Sequence, residues 1–316
     1  MWIRFGAPIA CLLAGIVAGT GRIHTSDSSE VSPIATSQLC ESLKSIADSY
    51  PGEIGVAVII DTGDTLAVNN ETKYPMMSVF KLHQAIALSD HFERTGESLD
   101  SVVSIPRSQL NPNTWSPMLK DYPEQIINIP IRELLTYTLT LSDNNASNWM
   151  FENLQAVDDA DSFLATLIPR TSFSMRHTEA EMATDHSLAY ENCTSPLGAA
   201  ILINRLYSDS IIKESDADFI RKTLDGCQTG ADRIIAPLKG KAEITAGHKT
   251  GSGYRNEKGE LAAHNDVGFI RLPDGRHYAL AVFVKDFNGS EEEASKVISR
   301  ISETVFKTLC NFASSK

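Results

Sequence analysis

Hydrophobic positions along this chain recur at two periods, and the change between them divides it into three stretches. Near the N-terminus, Leu43, Ile46 and Ala47 stand at helical spacing within 40–50, and a β-branched run then fills 55–61, which predicts a helix followed by a strand. Thr62-Gly63-Asp64 is turn chemistry leading to a second short strand at 65–68, a hairpin. From about 78 to 240 the pattern is that of amphipathic helices, at 79–92, 131–139, 145–154, 161–167, 196–207 and 215–224. Strand patterns return at 243–248, 262–272 and 278–286, and a last amphipathic helix covers 291–312. Strands at both ends with helices between them predict an α+β lobe made from the two termini and an all-α lobe made from about 78–240, with a ligand cleft between the lobes.

The N-terminal segment has a different character. Arg4, an apolar run from Ala7 to Ala18 and the small residues Gly19, Thr20 and Gly21 have the form of a secretory signal covering about 1–21. The run is short for a bilayer span, which is the alternative reading. Cys11 follows Pro8-Ile9-Ala10, a poor lipid-attachment box, so the expectation is cleavage to a soluble mature protein in the periplasm or outside the cell. Residues 24–36 are polar and predict disorder. No repeat, low-complexity tract or Pro/Gly-rich linker divides the remainder, and 37–316 reads as one two-lobed domain.

At 316 residues and 42% hydrophobic, the chain can bury a sizeable core. Its formal net charge of -12 argues against nucleic acid or an anionic membrane as partner, so an anionic ligand would have to be held by local cations. Past Cys11 stand Cys40, Cys193, Cys227 and Cys310, an even set that permits disulfides in an oxidising compartment and leaves both their pairing and the free-thiol alternative open. The histidines show no H-E-x-x-H spacing, and Gly247, Gly251 and Gly253 form no nucleotide fingerprint. Neither metal nor cofactor is expected.

Three fragments carry chemistry. Ser78-Val79-Phe80-Lys81 puts a hydroxyl at a helix start and an amine one turn on, so a lysine can serve as base to a serine that is otherwise a weak nucleophile. Ser210-Ile211-Ile212-Lys213 has the same pattern and reads as an exposed helix end. Ser142-Asp143-Asn144 follows a helix and reads either as a turn aiming a hydroxyl and an amide at a ligand or as a cap for the next helix. Lys249-Thr250-Gly251-Ser252-Gly253 ends a strand; it could grip a carboxylate, or merely enter a hairpin.

Taken in this order, the three fragments resemble the set found in class A β-lactamases and penicillin-binding proteins. The resemblance covers about 40–312, and Pro75-Met76-Met77, Trp115 and Asn265-Asp266 are similar to the CfxA/PER-like, extended-spectrum branch of class A. It implies the β-lactamase/DD-peptidase fold, an antiparallel five-stranded sheet flanked by helices plus an all-α lobe. The implied activity is hydrolysis of penicillins and cephalosporins by a monomeric, exported enzyme that confers antibiotic resistance. A D-Ala-D-Ala carboxypeptidase and a non-catalytic β-lactam sensor are the alternatives.

By position, the resemblance makes Ser78 the nucleophile, Lys81 a proton acceptor or relay, and Ser142 the donor toward the ring nitrogen. Asn144 would bind the acylamino side chain, Lys249 and Thr250 the substrate carboxylate with Arg233 beside them, and the N–H groups of Ser78 and Ser252 the oxyanion. Trp115 would pack on the ligand at the cleft mouth, or be a partly exposed core tryptophan. Glu179 is the implied base for the deacylating water, with Glu181 next in line. No proline follows Glu179, Ala183 replaces an asparagine usual in that loop, and His177 and Asn192 stand where an Arg–Asp loop anchor is usual. Because class A folds pack their first and last helices side by side, the resemblance also implies a Cys40–Cys310 disulfide.

Overall fold

The computed structural model describes residues 33–61, 63–241 and 243–311, so the expected signal segment lies outside the described residues. Five strands form one antiparallel sheet: β1 (Glu53–Ile60), β2 (Thr65–Val68), β8 (Thr245–Ser252), β9 (Leu261–Arg271) and β10 (His277–Phe287), in the order β2-β1-β10-β9-β8. Strands covered on both faces bury both of their side-chain sets, which is why β1, β9 and β10 read as apolar runs rather than alternations. On one face, Val56, Val58, Val282 and Val284 pack with Leu43 of α1 (Pro33–Asp48) and Val297 and Ile301 of α10 (Glu291–Asn311). On the other, Ala57, Ala281 and Phe283 join Leu202, Ile203 and Leu206 of α8 (Pro196–Ser208) in a second core. The period of two along β1 thus assigns neighbouring residues to different cores.

Between β2 and β8 the chain is mostly helical. α2 (Phe80–Thr95) runs through the middle of this part with Phe80, Leu82, Ile86 and Phe92 buried, and it ends where Gly96 turns left-handed at φ 75. Around it pack α4 (Ile131–Thr140), α6 (Val157–Leu164) and α9 (Glu214–Asp225), and α5 (Asn144–Asn153) packs on α4 and on α7 (Glu179–Thr184). The short α3 spans Met118–Asp121. Two small sheets complete the fold: β3 (Tyr74–Pro75) pairs with β7 (Cys193–Thr194), which pairs with β6 (Phe173–Ser174), and β4 (Val102–Pro106) pairs with β5 (Ile126–Pro130). Among the described residues no helix is long and apolar enough to cross a membrane.

Departures from the sequence reading have physical causes. The helix expected at 161–167 lies earlier, at Val157–Leu164, with Asp158 and Asp159 in its favoured acidic first turn. Order begins sooner than the polar stretch 24–36 suggested, since α1 starts at Pro33. The β4–β5 hairpin has one face exposed and too weak an alternation to stand out, and two-residue strands such as β3 carry no periodicity at all. Ser210 is exposed in the loop between α8 and α9 rather than at a helix end. α1 and α10 do pack together, and Cys40 and Cys310 border one apolar cluster, the neighbourhood that the expected disulfide needs. Sharing a cluster is a weaker condition than the Cβ–Cβ approach of about 3.5–4.5 Å that the bond demands.

Gly55 of β1 marks the tightest approach of the sheet to its neighbours, for a Cβ there would lie 2.6 Å from the Tyr74 ring and from Pro196 Cγ. Both are rigid groups. Gly55→Ala is expected to destabilise the fold by about 1–3 kcal/mol, read as a lower urea midpoint with an unchanged slope.

Candidate active site

Ser78 lies on the 3-10 turn Met77–Val79 that continues directly into α2, so its hydroxyl and the Lys81 amine project from one surface. Met77, just before it, is left-handed at φ 45, and Ser142 is left-handed at φ 59. Such conformations cost a non-glycine residue about 1–3 kcal/mol and persist only where surroundings impose them. At Met77 the surroundings are explicit. The Asn265 amide of β9 donates to the carbonyls of Pro75 at 2.8 Å and Met76 at 3.2 Å, and the Met76 N–H donates to Asn192 O at 2.8 Å.

Lys81 is fully buried, and its ammonium gathers the site. Nζ donates to Ser142 O at 2.9 Å and Asn144 Oδ1 at 2.6 Å, and lies 3.1 Å from Ser78 Oγ, 3.4 Å from Ser142 Oγ and 2.9 Å from Glu179 Oε1. Ser78 Oγ itself donates to Glu179 Oε1 at 2.9 Å. The nucleophile candidate therefore has the Glu179 carboxylate as a proton acceptor in direct reach, with the Lys81 amine beside it as a second acceptor once it has given up a proton.

The Ser142-Asp143-Asn144 segment caps the next helix, one of the two readings its sequence allowed. Asp143 caps α5 by accepting from Ala146 N at 2.9 Å, and its other oxygen accepts from Met118 N at 2.8 Å, with Ser116 Oγ also bonded to it. The flanking Ser142 and Asn144 are thereby turned toward Lys81. Asn144 N donates to Trp115 O at 3.0 Å, and Trp115 Nε1 donates to Leu141 O at 2.8 Å while the residue stays 59% exposed. Trp115 is thus an exposed aromatic held beside the turn, not a core residue.

Strand β8 supplies the opposite wall. Buried Lys249 donates from Nζ to Ser142 Oγ at 3.1 Å and to Thr250 O at 2.9 Å, so the Ser142 hydroxyl sits between two lysine amines. Burial lowers the Lys249 amine to about 7; the Cys227 sulfur opposes the shift and the nearby Lys81 cation reinforces it. Thr250 Oγ1 is 2.6 Å from Thr229 Oγ1. Buried Arg233 does not stand as a free cation: it donates to Asn265 O at 2.7 Å, Gly251 O at 3.2 Å and Ser252 Oγ at 2.6 Å, bracing the end of β8. Burial holds its pKa below the usual value.

The two glutamates of the 176–183 segment have separate fates. Glu181 closes a capping box with Thr178, accepting from Thr178 N at 2.8 Å, and is exposed. Glu179 is buried and turned inward to Ser78 and Lys81. The segment is tied down by Asn192, whose Oδ1 accepts from the N–H groups of Arg176 at 2.7 Å and His177 at 2.9 Å and whose amide donates to His177 O at 2.7 Å. His177 takes part through its backbone, while its ring faces Glu191 at 3.1 Å. Asn148 Oδ1 accepts from Ala180 N at 3.1 Å and fixes the start of α7. The positioning roles of Asn265 and Asn148 were not read from the sequence, whereas Asn192 and His177 stand at the loop-anchor positions the sequence reading gave them. The one available signal was Asn265 itself, a poor strand former inside an apolar strand pattern.

The chain is similar to known proteins over most of its length. Residues 38–309 match the family described as the Beta-lactamase enzyme family. The chain is 52% identical to a β-lactamase of Phocaeicola vulgatus over 95% of its own length and 93% of that protein's. It is 30% identical to the extended-spectrum β-lactamase PER-1 of Pseudomonas aeruginosa over 94% and 95% of the respective lengths. Among solved structures, the TLA-1 extended-spectrum β-lactamase superposes with a TM-score of 0.81 at 32% identity, covering 87% of this chain and 99% of that one. A class A β-lactamase from Bacteroides cellulosilyticus gives 0.81 at 30% identity, covering 87% and 98%.

Gly251 decides how closely β8 approaches the turn bearing Ser78, because a Cβ there would stand 2.4 Å from Met76 O. A backbone carbonyl already bonded to Asn265 cannot swing aside. Gly251→Ala is expected to displace Ser78 and slow its acylation by about 10²-fold. Intact-mass labelling with an acylating probe measures the rate, and circular dichroism checks the fold; a folded variant acylated at the wild-type rate would refute it.

Proposed function

Because the chain belongs to the β-lactamase enzyme family, in its class A branch, we propose that it hydrolyses penicillins and cephalosporins through an acyl-enzyme on Ser78 and so confers resistance to them. One observation carries the assignment of roles: the Glu179 carboxylate stands 2.9 Å from both Ser78 Oγ and Lys81 Nζ.

In acylation, Ser78 Oγ gives up its proton to Glu179, or to a Lys81 amine that has first passed a proton to Glu179, and attacks the lactam carbonyl. The proton then moves on through Lys81 to Ser142, which leaves Glu179 ionised again. Negative charge on the carbonyl oxygen is met by the N–H groups of Ser78 and Ser252, donors that need no reorganisation. As the C–N bond breaks, Ser142 protonates the ring nitrogen and is resupplied by Lys81 or Lys249, each within 3.4 Å of its hydroxyl. Lys249 and Thr250 bind the substrate carboxylate, Arg233 holds Ser252 in place, Asn144 binds the acylamino group and Trp115 packs over the ligand.

Acylation also prepares the second half of the cycle. Once Oγ is esterified it has no hydrogen to donate, and the Glu179 oxygen it occupied becomes free to accept from a water. Glu179 then takes that water's proton as it attacks the ester. A D-Ala-D-Ala peptidase or an acylated sensor has no use for a carboxylate so placed, and neither alternative is favoured. The Arg4-led apolar segment supports export, with the mature enzyme working as a monomer in the periplasm or outside the cell.

Ser78→Ala is expected to abolish covalent labelling by penicillin while Ser210→Ala leaves it intact. Glu179→Gln is expected to slow deacylation by about 10²–10⁴-fold, so that a mass increase of one opened β-lactam persists on Ser78. Wild-type turnover in that variant would move the base elsewhere, to Glu181 first.

The Lys249 amine gives a pH test. It binds a carboxylate only when protonated, and in the free enzyme it loses its proton as pH rises through about 7. A bound carboxylate favours the charged form and raises that value. For a carboxylate-bearing cephalosporin, kcat/KM should therefore fall above about pH 7 while kcat holds to higher pH. Parallel decline of the two would count against the role given to Lys249.

A further inference from the structure

Cys227 lies between α9 and β8 and has no part in the reaction above. Its sulfur is 3.4 Å from Thr229 Oγ1, the hydroxyl that in turn touches Thr250 Oγ1 at 2.6 Å. Behind it, buried His248 has Nδ1 at 2.9 and 3.1 Å from the two oxygens of fully buried Asp266. Asp266 is fixed in turn by the Ile234 N–H at 3.1 Å. His248 Nε2 has no partner in ordinary hydrogen-bond geometry, yet the imidazole lies close enough to the Cys227 sulfur for the two to couple. A carboxylate holding one nitrogen of an imidazole that acts on a thiol is an arrangement that activates sulfur nucleophiles.

The charges agree with the geometry. Burial disfavours the imidazolium, but the charge and hydrogen bond of Asp266 outweigh it and hold His248 protonated up to about 10. Burial likewise favours the neutral thiol of Cys227, but hydrogen bonding and charge from His248, the Lys249 charge and the Thr229 hydroxyl together bring it down to about 7. Arg233 is a further charge in range. Cys193 and Cys310 go the other way, their thiols pushed up by burial. Cys227 is partly exposed, unlike the buried His248–Asp266 pair behind it.

We propose that Cys227 is a thiol–disulfide exchange site, at which a low-molecular-weight disulfide reversibly closes the carboxylate subsite formed by Lys249 and Thr250. The Cys227 thiolate attacks one sulfur of R–S–S–R, the S–S bond breaks, R–S⁻ leaves with the electron pair and takes a proton from solvent, and a mixed disulfide remains. The adduct places a new group against Thr229 and Thr250 and obstructs the subsite by its bulk. A thiol reductant reverses the step. The effect on turnover rests on the function proposed above, whereas the position and pH dependence of the adduct do not.

The test treats the purified protein with 2-hydroxyethyl disulfide, an uncharged probe, from mildly acidic to mildly alkaline pH. Peptide mapping is expected to find the adduct first on Cys227, with a half-maximal rate near pH 7. At pH 7 that rate should exceed an unperturbed thiol's by about threefold, since the gain in thiolate fraction outweighs the loss of intrinsic nucleophilicity. Hydrolysis of a chromogenic cephalosporin should fall in step with modification and return on reduction, and Cys227→Ala should keep its turnover and ignore the probe. Modification of Cys193 or Cys310 ahead of Cys227, or complete Cys227 modification with turnover unchanged, would overturn the proposal on wild-type protein alone, whether or not the variant folds. Untreated protein that fails to hydrolyse the cephalosporin would instead sink the function, while the adduct's position still judged Cys227.

Discussion

The buried Lys81 ammonium is the constraint around which this structure is organised. A charge without solvent is tolerated only when hydrogen-bonding partners and an opposite charge surround it. Here they come from three separate segments: the turn at 142–144, the inward Glu179 of α7, and Ser78 on the lysine's own helix. Each of these segments must reach its position for the lysine to be satisfied. Burying Lys81 correctly and assembling the site are therefore the same event.

That demand explains where the backbone is strained and what imposes it. Met77 and Ser142 are both left-handed without being glycine, and each borders a hydroxyl facing Lys81. Asn265 secures the first by bonding the two carbonyls before Ser78, and Asp143 secures the second by capping α5 and drawing in the 116–118 segment. Gly251 admits the strand that forms the facing wall. Rigid sheet on one side and capped helices on the other keep the Ser78 hydroxyl within hydrogen-bond reach of Lys81 and the Ser142 hydroxyl within reach of Lys81 and Lys249.

A second tier of charges sets the behaviour of the first. Lys249 is protonated or neutral near neutral pH according to how burial, Lys81 and Cys227 balance. The Cys227 sulfur is governed by His248, and His248 by Asp266. A chain of titratable groups thus runs from the interior of the sheet to Lys249 and the Ser142 hydroxyl it faces. In a low-dielectric interior such groups cannot be varied independently.

The sequence by itself determined the order of elements and the chemistry available. Apolar runs at 55–61, 262–272 and 278–286 announced strands buried on both faces, and the helical period between them announced the other part of the fold, because burial period is a local property that the chain writes directly. Ser78, Lys81, Ser142, Asn144, Lys249 and Thr250 were legible as residue types at short spacings. Tertiary structure alone decided the rest. Glu179 and Glu181 lie two residues apart, and only the capping box that occupies one and the lysine that attracts the other separate them. Ser78 and Ser210 carry the same motif, and the Glu179 carboxylate and the 142–144 turn that meet Ser78 and Lys81 single out the first. Asn148 and Cys227 give no sequence signal, because what each does depends on partners far away along the chain, on a backbone amide it meets or on an imidazole behind it. Periodicity reports which face is buried; it holds no information about which polar groups from distant segments converge on one buried charge.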